Sequence, residues 1–167
     1  GVLDITTTEW ADELVGGTLS AGPERLDAAA KAGVPAIVVP GCLDMANFGE
    51  RNSLPKQFEE RTLYIHNPQV TLLRTNAAEC QQLGKILAKK VNTYTAPVTV
   101  LLPRKAISVI SAAGQPFHDA AADAALFDAI TSELKPEIEV QSMDCEINDP
   151  AFAKACAEAL LRNLQKC

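Results

Sequence analysis

The stretch that most constrains the fold is a short apolar run at residues 36–39, Ala-Ile-Val-Val, which lies between two prolines. An unbroken apolar run of this length is typical of a strand buried on both faces of a sheet. Regular structure is expected to stop at Gly41, and Asp44 and Asn47 follow at once. Ligands of open parallel sheets bind just beyond the carboxyl ends of the strands. Residues 41–49 are therefore a candidate wall of a binding site, although a tight turn without a ligand would use the same residues.

Strands alternate with helices along the rest of the chain. Further strands are expected at residues 2–5, 62–66 (an edge strand), 97–102 and 138–141. Helices are expected from a capping box at residues 6–9 to residue 15, and at residues 22–33, 76–92, 119–134 and 150–164. Segments 52–61 and 103–119 are expected to be irregular. Because strands separated by helices favour right-handed parallel crossovers, we predict an α/β fold, a three-layer Rossmann-like sandwich with a mostly parallel sheet, in a single domain.

Composition and charge restrict the class of protein. The 167 residues are 47% hydrophobic and 22% charged, which suits one globular domain. A net charge of −6 argues against a nucleic-acid surface, and no apolar run is long enough to cross a bilayer. Five cysteines without a Cys-x-x-Cys pair favour a reduced, cytoplasmic setting. The chain opens directly into a strand, so we expect it to be part of a longer protein.

Polar residues and glycines follow the predicted strands at positions where a parallel sheet would gather them along one edge. We expect this set to form a ligand site: Thr6, Thr7, Gly41, Asp44, Asn47, Arg74, Ser108, Gly114, Asn148 and Asp149. Helices that begin near this edge would aim free backbone amides at an anion such as phosphate. Any α/β domain has such helix starts, so this pattern alone does not identify a ligand.

Known catalytic and nucleotide fingerprints are absent from the sequence. There is no phosphate-binding Gly-x-x-x-x-Gly-Lys-Ser/Thr loop, no Gly-x-Gly-x-x-Gly and no Gly-x-Ser-x-Gly. Ser108 or Ser111 could act as a nucleophile only if a histidine folded beside it. His66, His118, Cys42 and Asp44 match no metal-ligand spacing, so we expect no metal site within the chain.

Six blocks of the sequence, in order and along nearly the whole chain, resemble the carboxyl-terminal half of a known family. The blocks are residues 1–9, 41–49, 66–68 with 74–75, 101–103, 116–119 and 147–153. The family is an uncharacterised one of two Rossmann-like parts, described as ATP-binding, and it includes the tomato protein for tomato mosaic virus resistance. Its plant members are implied to bind and inhibit the helicase domain of a viral replication protein.

One loop departs from the pattern of that family. Its members usually carry Gly-x-Ser-x-x-Asp-x-Pro-Gly after the Leu-Pro, whereas residues 106–114 keep Ser108 and Gly114 but place Ser111 where the acid is usual. Because Ser111 replaces the acid, we do not expect a metal-binding or acid–base role at this position of the chain.

The preferred hypothesis is a module that binds ATP or another phosphorylated small molecule, with or without magnesium. Amides near Thr7 and Gly41, together with Arg74, would face the phosphates. Carboxylates and amides (Asp44, Asn47, Asn148 and Asp149) would bind polar groups or a magnesium ion. The alternatives are a hydrolytic enzyme that uses Asp44 or Asp149 as base, and a protein-interaction module without a small ligand. We also expect the amino-terminal half of the same protein as partner, and a homo-oligomer.

Overall fold

A computed structural model describes the whole chain, Gly1–Cys167, as seven strands and five helices. In chain order these are β1 (Val2–Thr6), α1 (Glu9–Val15), α2 (Asp27–Ala32), β2 (Ala36–Gly41), β3 (Met45–Phe48), β4 (Leu63–Asn67), β5 (Val70–Arg74), α3 (Ala77–Val91), β6 (Val98–Pro103), α4 (Ala120–Glu133), β7 (Glu139–Met143) and α5 (Pro150–Gln165). No helix combines the length and the apolar character that crossing a bilayer requires.

The main sheet is parallel, four-stranded and ordered β1-β2-β6-β7. Its two faces pack against different helices, because side chains alternate along each buried strand. Val38 and Val100 point into the larger core with α3 and α4, whereas Ile37 and Leu101 pack against α5. This arrangement confirms the predicted α/β sandwich of three layers.

Helices α3 and α4 approach each other closely at a glycine. A Cβ atom on Gly84 would lie 2.6 Å from the carbonyl oxygen of Leu126 and 2.7 Å from the Cβ of Ala129. Only a glycine therefore permits this helix–helix distance without displacement of backbone. The contact therefore packs Gly84 of α3 directly against Leu126 and Ala129 of α4.

A second, antiparallel sheet, ordered β3-β5-β4, lies between β2 and α3 in the chain. The edge strand expected at residues 62–66 is confirmed as β4, and the turn after it joins β4 to β5 as a hairpin. Sequence patterns do not indicate β3 or β5. Four of the five residues of β5 are buried, so the strand lacks the polar–apolar alternation that identifies a half-exposed strand.

The helices differ in how closely their first residues agree with the prediction. The capping box at Thr6 is wrong: Thr6 continues β1 opposite Gly41, and α1 begins after Thr8, whose side chain makes no cap hydrogen bond. Asn76 and Asp119 cap α3 and α4 as expected. Helix α2 is shorter than predicted and begins at Asp27 rather than near residue 22.

The only tryptophan of the chain, Trp10, lies on the inner face of α1. It is 6% exposed and belongs to the larger core. The Lys90 ammonium group of α3 sits 5.3 Å from the centre of its indole ring, within the range of a cation–π contact. Trp10 thereby ties α1 to α3.

Candidate functional site

The segments that leave the four parallel strands run side by side along one edge of the sheet. The Thr7 N–H donates to the Gly41 carbonyl oxygen at 2.9 Å, and the Cys42 N–H donates to the Ile107 carbonyl oxygen at 2.9 Å. Farther along, the Ile147 N–H donates to the Ala106 carbonyl oxygen at 2.9 Å. These bonds fix the relative positions of the four exits, which we call the carboxyl edge.

Gly41 makes close contacts within the chain itself. A Cβ atom at this position would lie 2.2 Å from the Ile5 carbonyl oxygen and 2.7 Å from the Cδ1 atom of Ile147. The next residue, Cys42, has a φ of 60°, in the left-handed region that side chains other than glycine rarely adopt. Burial raises the pKa of the Cys42 thiol to about 11, so the group is a poor nucleophile.

Asp44 and Ser108, which are distant in the sequence, meet under the carboxyl edge. The Ser108 hydroxyl donates to Oδ2 of Asp44 at 2.6 Å, whereas Oδ1 is buried without a hydrogen-bond partner. Asp44 is 0% exposed, and this burial raises the pKa of its carboxyl group to about 6. The pair is enclosed by protein, and a ligand at the surface does not reach it.

Ser111 holds the loop that carries Ser108. Its hydroxyl oxygen accepts the N–H groups of Ile107 and Ser108, each at 3.1 Å, and its own N–H donates to the Ser108 hydroxyl. Nδ1 of His118 lies 3.3 Å from the carbonyl oxygen of Ser111. It makes no hydrogen bond to the hydroxyl group of Ser108 or Ser111. The structure therefore contains no Ser–His pair in this loop.

Arg74 lies inside the protein, where it is 4% exposed. Its Nη2 atom is 2.6 Å from Oδ1 of Asp123, and its Nε–H donates to the Phe117 carbonyl oxygen at 2.8 Å. A further, longer bond runs from Nη1 to the Asp44 carbonyl oxygen. The guanidinium thus joins β5, α4 and two loops of the carboxyl edge, and its donors are directed at acceptors of the chain itself.

Asn47 and Thr7 are also occupied by internal hydrogen bonds. The Asn47 side-chain amide donates to Oδ2 of Asp12, and its backbone N–H donates to Oδ1, both at 2.9 Å. The Thr7 hydroxyl donates to the Val39 carbonyl oxygen at 3.2 Å. Burial raises the pKa of Asp12, a residue that sequence reasoning does not single out.

The four remaining candidate residues lie nearer the surface. Thr6 and Asn148 are exposed, Asp149 is half-buried, and Gly114 is exposed in a turn with a φ of 80°. Asn148 and Asp149 line a cavity of about 330 Å³ with these neighbours: Lys105, Asp144, Cys145, Glu146 and Pro150. None of the buried candidates contributes to this cavity, so the predicted set divides into an interior group and a surface group.

Side chains cap the starts of α4 and α5 at the carboxyl edge. The Asp119 carboxylate accepts the N–H groups of Ala121 and Ala122 at the start of α4. The Asp149 carboxylate accepts the N–H of Ala151 at the start of α5. At α4 and α5 the capping side chains therefore already satisfy these backbone donors.

A smaller cavity of about 150 Å³ shares Lys105 with the cavity of about 330 Å³ that Asn148 and Asp149 line. Its other lining residues are Arg104, His118, Ala120, Asp123, Ala124 and Phe127. The Arg104 guanidinium stacks on the Phe127 ring at 4.6 Å and has no carboxylate within ion-pair distance. The sequence signal for this site is two consecutive cations directly after a buried strand, which no motif describes.

Metal ligands do not cluster in the structure. No group of three or more His, Cys, Asp or Glu side chains has an arrangement that could hold a metal ion. The carboxylates around the larger cavity are spread along an open surface. A divalent cation at this edge would need ligands from another molecule, such as phosphate oxygens.

Comparison with known proteins matches nearly the whole chain to one protein family and to several of its members. A model of the uncharacterised protein family UPF0261, C-terminal domain, matches residues 1–164. A UPF0261 protein of Clostridium tetani is 43% identical over 167 residues, covering 99% of this chain and 41% of that protein. A UPF0261 protein of Mesorhizobium japonicum is 43% identical over 162 residues, covering 96% of this chain and 41% of that protein. The tomato (Solanum lycopersicum) ToMV resistance protein Tm-1(GCR237) is 38% identical over 167 residues, covering 96% of this chain and 22% of that protein.

The chain therefore spans about two fifths of the length of its bacterial relatives. The resemblance seen in the six sequence blocks is confirmed by both the family match and the tomato relative.

Proposed function

We propose, from the premise that this chain belongs to the uncharacterised protein family UPF0261 as its C-terminal domain, that it binds a phosphorylated small molecule of the nucleotide class. The proposed site is the pair of cavities that share Lys105 at the carboxyl edge. The smaller cavity would take a phosphate group and the larger one the rest of the molecule.

The observation that carries this proposal is the unpaired charge of Arg104. Arg104, Lys105 and His118 line one small cavity, and Arg104 has no acidic partner in the chain. Lys105 is 3.3 Å from Asp144, but both side chains are largely exposed, so this ion pair is weak and exchangeable. A phosphate would give these groups the bidentate and charge-assisted hydrogen bonds that the free protein does not supply.

The size and lining of the larger cavity suit a polar ligand. Its volume of about 330 Å³ falls within the range of small-molecule sites, whereas about 150 Å³ accommodates only a group such as phosphate. Asn148, Asp149 and Glu146 offer oxygen acceptors for hydroxyl or amino groups. The carboxylates of Asp149 and Glu146 repel a negatively charged phosphate. A magnesium ion bound to the phosphates would reduce this repulsion and so favour binding.

The enzyme alternative has less support. Asp44 is enclosed, with one oxygen bonded to Ser108, so it has no access to a substrate. Asp149 is more accessible, but its carboxylate already caps α5. Docking of a protein partner on the loops remains the alternative if no small molecule binds.

The test is isothermal titration calorimetry of this chain with ATP, with and without magnesium, and with adenosine and inorganic phosphate. We expect heat with ATP and none with adenosine, because the phosphate supplies the recognised charge. The double variant Arg104→Ala/Lys105→Ala is expected to weaken binding by about 10-fold or more, given about 1.4 kcal/mol or more for two charged contacts. Lys85→Ala/Lys89→Ala, which removes two exposed cations from α3, is the matched control.

Two outcomes would overturn the proposal. One is the absence of heat with every phosphorylated ligand, and the other is an equal loss of binding in the control variant. A parallel titration of a full-length bacterial relative tests whether an amino-terminal part contributes to the site. Tighter binding by the full-length relative would support a ligand held by both the amino-terminal part and this domain.

A further inference from the structure

We propose that an apolar surface formed by β1 and the last turns of α5 binds a helix of the amino-terminal part that precedes this domain in its longer relatives. Three of its side chains are exposed leucines: Leu3 (45%), Leu161 (59%) and Leu164 (43%). Leu160, which is partly buried, lies beside them on α5. We call these four leucines the β1–α5 patch.

The face of the parallel sheet that α5 covers is left open over β1. Helix α5 packs on Ile37 and Leu101 of the two central strands. On the edge strand β7, the residue paired with Leu101 is Gln141, a polar side chain that suits contact with water. On the edge strand β1, the residue paired with Ile37 is Leu3. Because parallel sheets are normally covered by helices on both faces, β1 has the sequence of a covered strand but lacks a cover in this chain.

Helix α5 carries a second apolar stripe beside the one that packs on the sheet. Its members recur at spacings of three and four residues, so they share one side of the helix. The stripe begins with two exposed alanines and ends with leucines: Ala153, Ala157, Leu160, Leu161 and Leu164. Small residues followed by large ones allow another helix to approach closely and pack against the leucines. The occupant that fits this surface is therefore an amphipathic helix.

The amino-terminal part of a longer protein is the occupant because the polypeptide enters β1 inside the patch. A Cβ atom on Gly1 would lie 2.8 Å from Cδ1 of Leu160 and 3.4 Å from Cδ2 of Leu164. This chain covers 41% of the Clostridium tetani relative, and the family match is to a C-terminal domain, so the larger part of such a protein precedes it. Residues that directly precede β1 in a relative therefore start beside these leucines. A covalent connection raises the effective concentration of a docking helix without any further contact.

A second copy of this chain suits the patch less well. Two copies would each bring a net charge of −6 to the contact. Stable association of separate chains also needs about 800 Å² of surface on each partner, and a few half-exposed leucines supply only a fraction of that area. A tethered helix needs less area, because the connection has already brought it to the surface.

The test is hydrogen exchange followed by mass spectrometry on this chain alone and on a chimera. In the chimera, this chain replaces the matched C-terminal part of the Clostridium tetani relative. We expect amides of residues 1–6 and 157–165 to exchange about tenfold or more slowly in the chimera, because a covering helix suppresses local opening. Residues 63–67 of β4, which include the exposed Ile65, serve as an internal reference and should not change.

Leu161→Glu is expected to return exchange at residues 1–6 and 157–165 of the chimera to the rates of the free chain. The substitution places a charge under the docked helix, whereas in the free chain the position is 59% exposed and tolerates it. Leu19→Glu is the matched control, since Leu19 is a 55% exposed leucine of the segment after α1. Far-ultraviolet dichroism of the free variants checks that both retain the fold. Neither variant touches the cavities at Lys105, so failure here leaves the proposed ligand site to its own test.

Equal exchange of residues 1–6 and 157–165 in the free chain and the chimera would overturn the proposal. Protection that appears at residues 63–67 instead would also overturn it and would assign the amino-terminal part to β4. Exchange at the patch that slows as the concentration of the free chain rises would assign the surface to a second copy. If the chimera does not fold, the intact Clostridium tetani relative and its own C-terminal domain are compared over the aligned segments, and the same outcomes decide.

Discussion

At the scale of single residues, the titration of Asp44 makes the stability of the fold depend on pH. Its carboxyl pKa of about 6 in the folded protein lies above the ordinary value of 3.8, because burial disfavours the charged form. The folded state therefore binds this proton more tightly than the unfolded state. Asp44 favours folding fully below about pH 4, and this contribution is lost as the pH rises through about 6.

We expect Asp44→Asn to be more stable than the parent chain at pH 8. A shift of this size corresponds to about 3 kcal/mol, and an asparagine carries no charge that must be buried. The Ser108 hydroxyl can still hydrogen-bond to the new side chain, since a hydroxyl both donates and accepts. Urea unfolding at pH 4, 6 and 8 measures the effect.

Asp144→Asn, which changes an exposed carboxyl group, is the control for Asp44→Asn. An unchanged pH profile in Asp44→Asn would show that another group governs stability in this range.

At the scale of elements, the contact between α3 and α4 depends on Gly84. We expect Gly84→Ala to destabilise the chain by about 1–3 kcal/mol, because the added methyl group meets the backbone of α4 rather than a flexible side chain. Thermal unfolding followed by circular dichroism measures the shift. Gln81→Ala, on the exposed side of the same helix, should stay within about 0.5 kcal/mol of the parent. Equal melting temperatures of Gly84→Ala and the parent would mean that the helices separate without cost.

The elements differ in how well the sequence predicts them. Buried strands such as β2 and β6 are evident because short, mainly apolar runs lie between prolines. Strand β5 is not evident, since its burial comes from packing between strands and loops that are distant in the sequence. The Thr6 capping box fails for a related reason: pairing with β2 extends β1 through Thr6 and outweighs the local helix-start pattern.

The candidate site is predicted less well than the fold. The Asp44–Ser108 contact joins two loops 64 residues apart, so no local pattern reveals that the pair is buried. Arg74 is prominent in the sequence as an isolated cation near the edge, yet its carboxylate partner, Asp123, lies on a helix with no obvious relation to it. Arg104 and Lys105 carry no motif, and only the surrounding cavity identifies them as candidates.

At the scale of the whole molecule, the Arg74–Asp123 ion pair connects the small antiparallel sheet to α4. We expect Arg74→Met to lower the free energy of unfolding by about 3–5 kcal/mol, because it leaves the Asp123 carboxylate buried without its partner. The double variant Arg74→Met/Asp123→Leu should recover most of this loss. Chemical denaturation of the single and double variants provides the measurement.

Lys154→Met, which breaks the exposed Lys154–Glu158 pair, should change stability by less than about 1 kcal/mol and serves as the control. A double variant as unstable as Arg74→Met alone would mean that the bond from Arg74 to Phe117, rather than the ion pair, holds the sheet to the helix.

The position of Trp10 has a practical consequence for spectroscopy. Trp10 is the only tryptophan, and it is buried at 6% exposure where α1 packs against α3. It therefore provides one intrinsic fluorophore with a defined location. Its emission should lie at shorter wavelength while the indole is shielded from water and move to longer wavelength when α1 detaches. Comparing that fluorescence transition with far-ultraviolet dichroism would reveal whether α1 is released before the rest of the domain loses its helices.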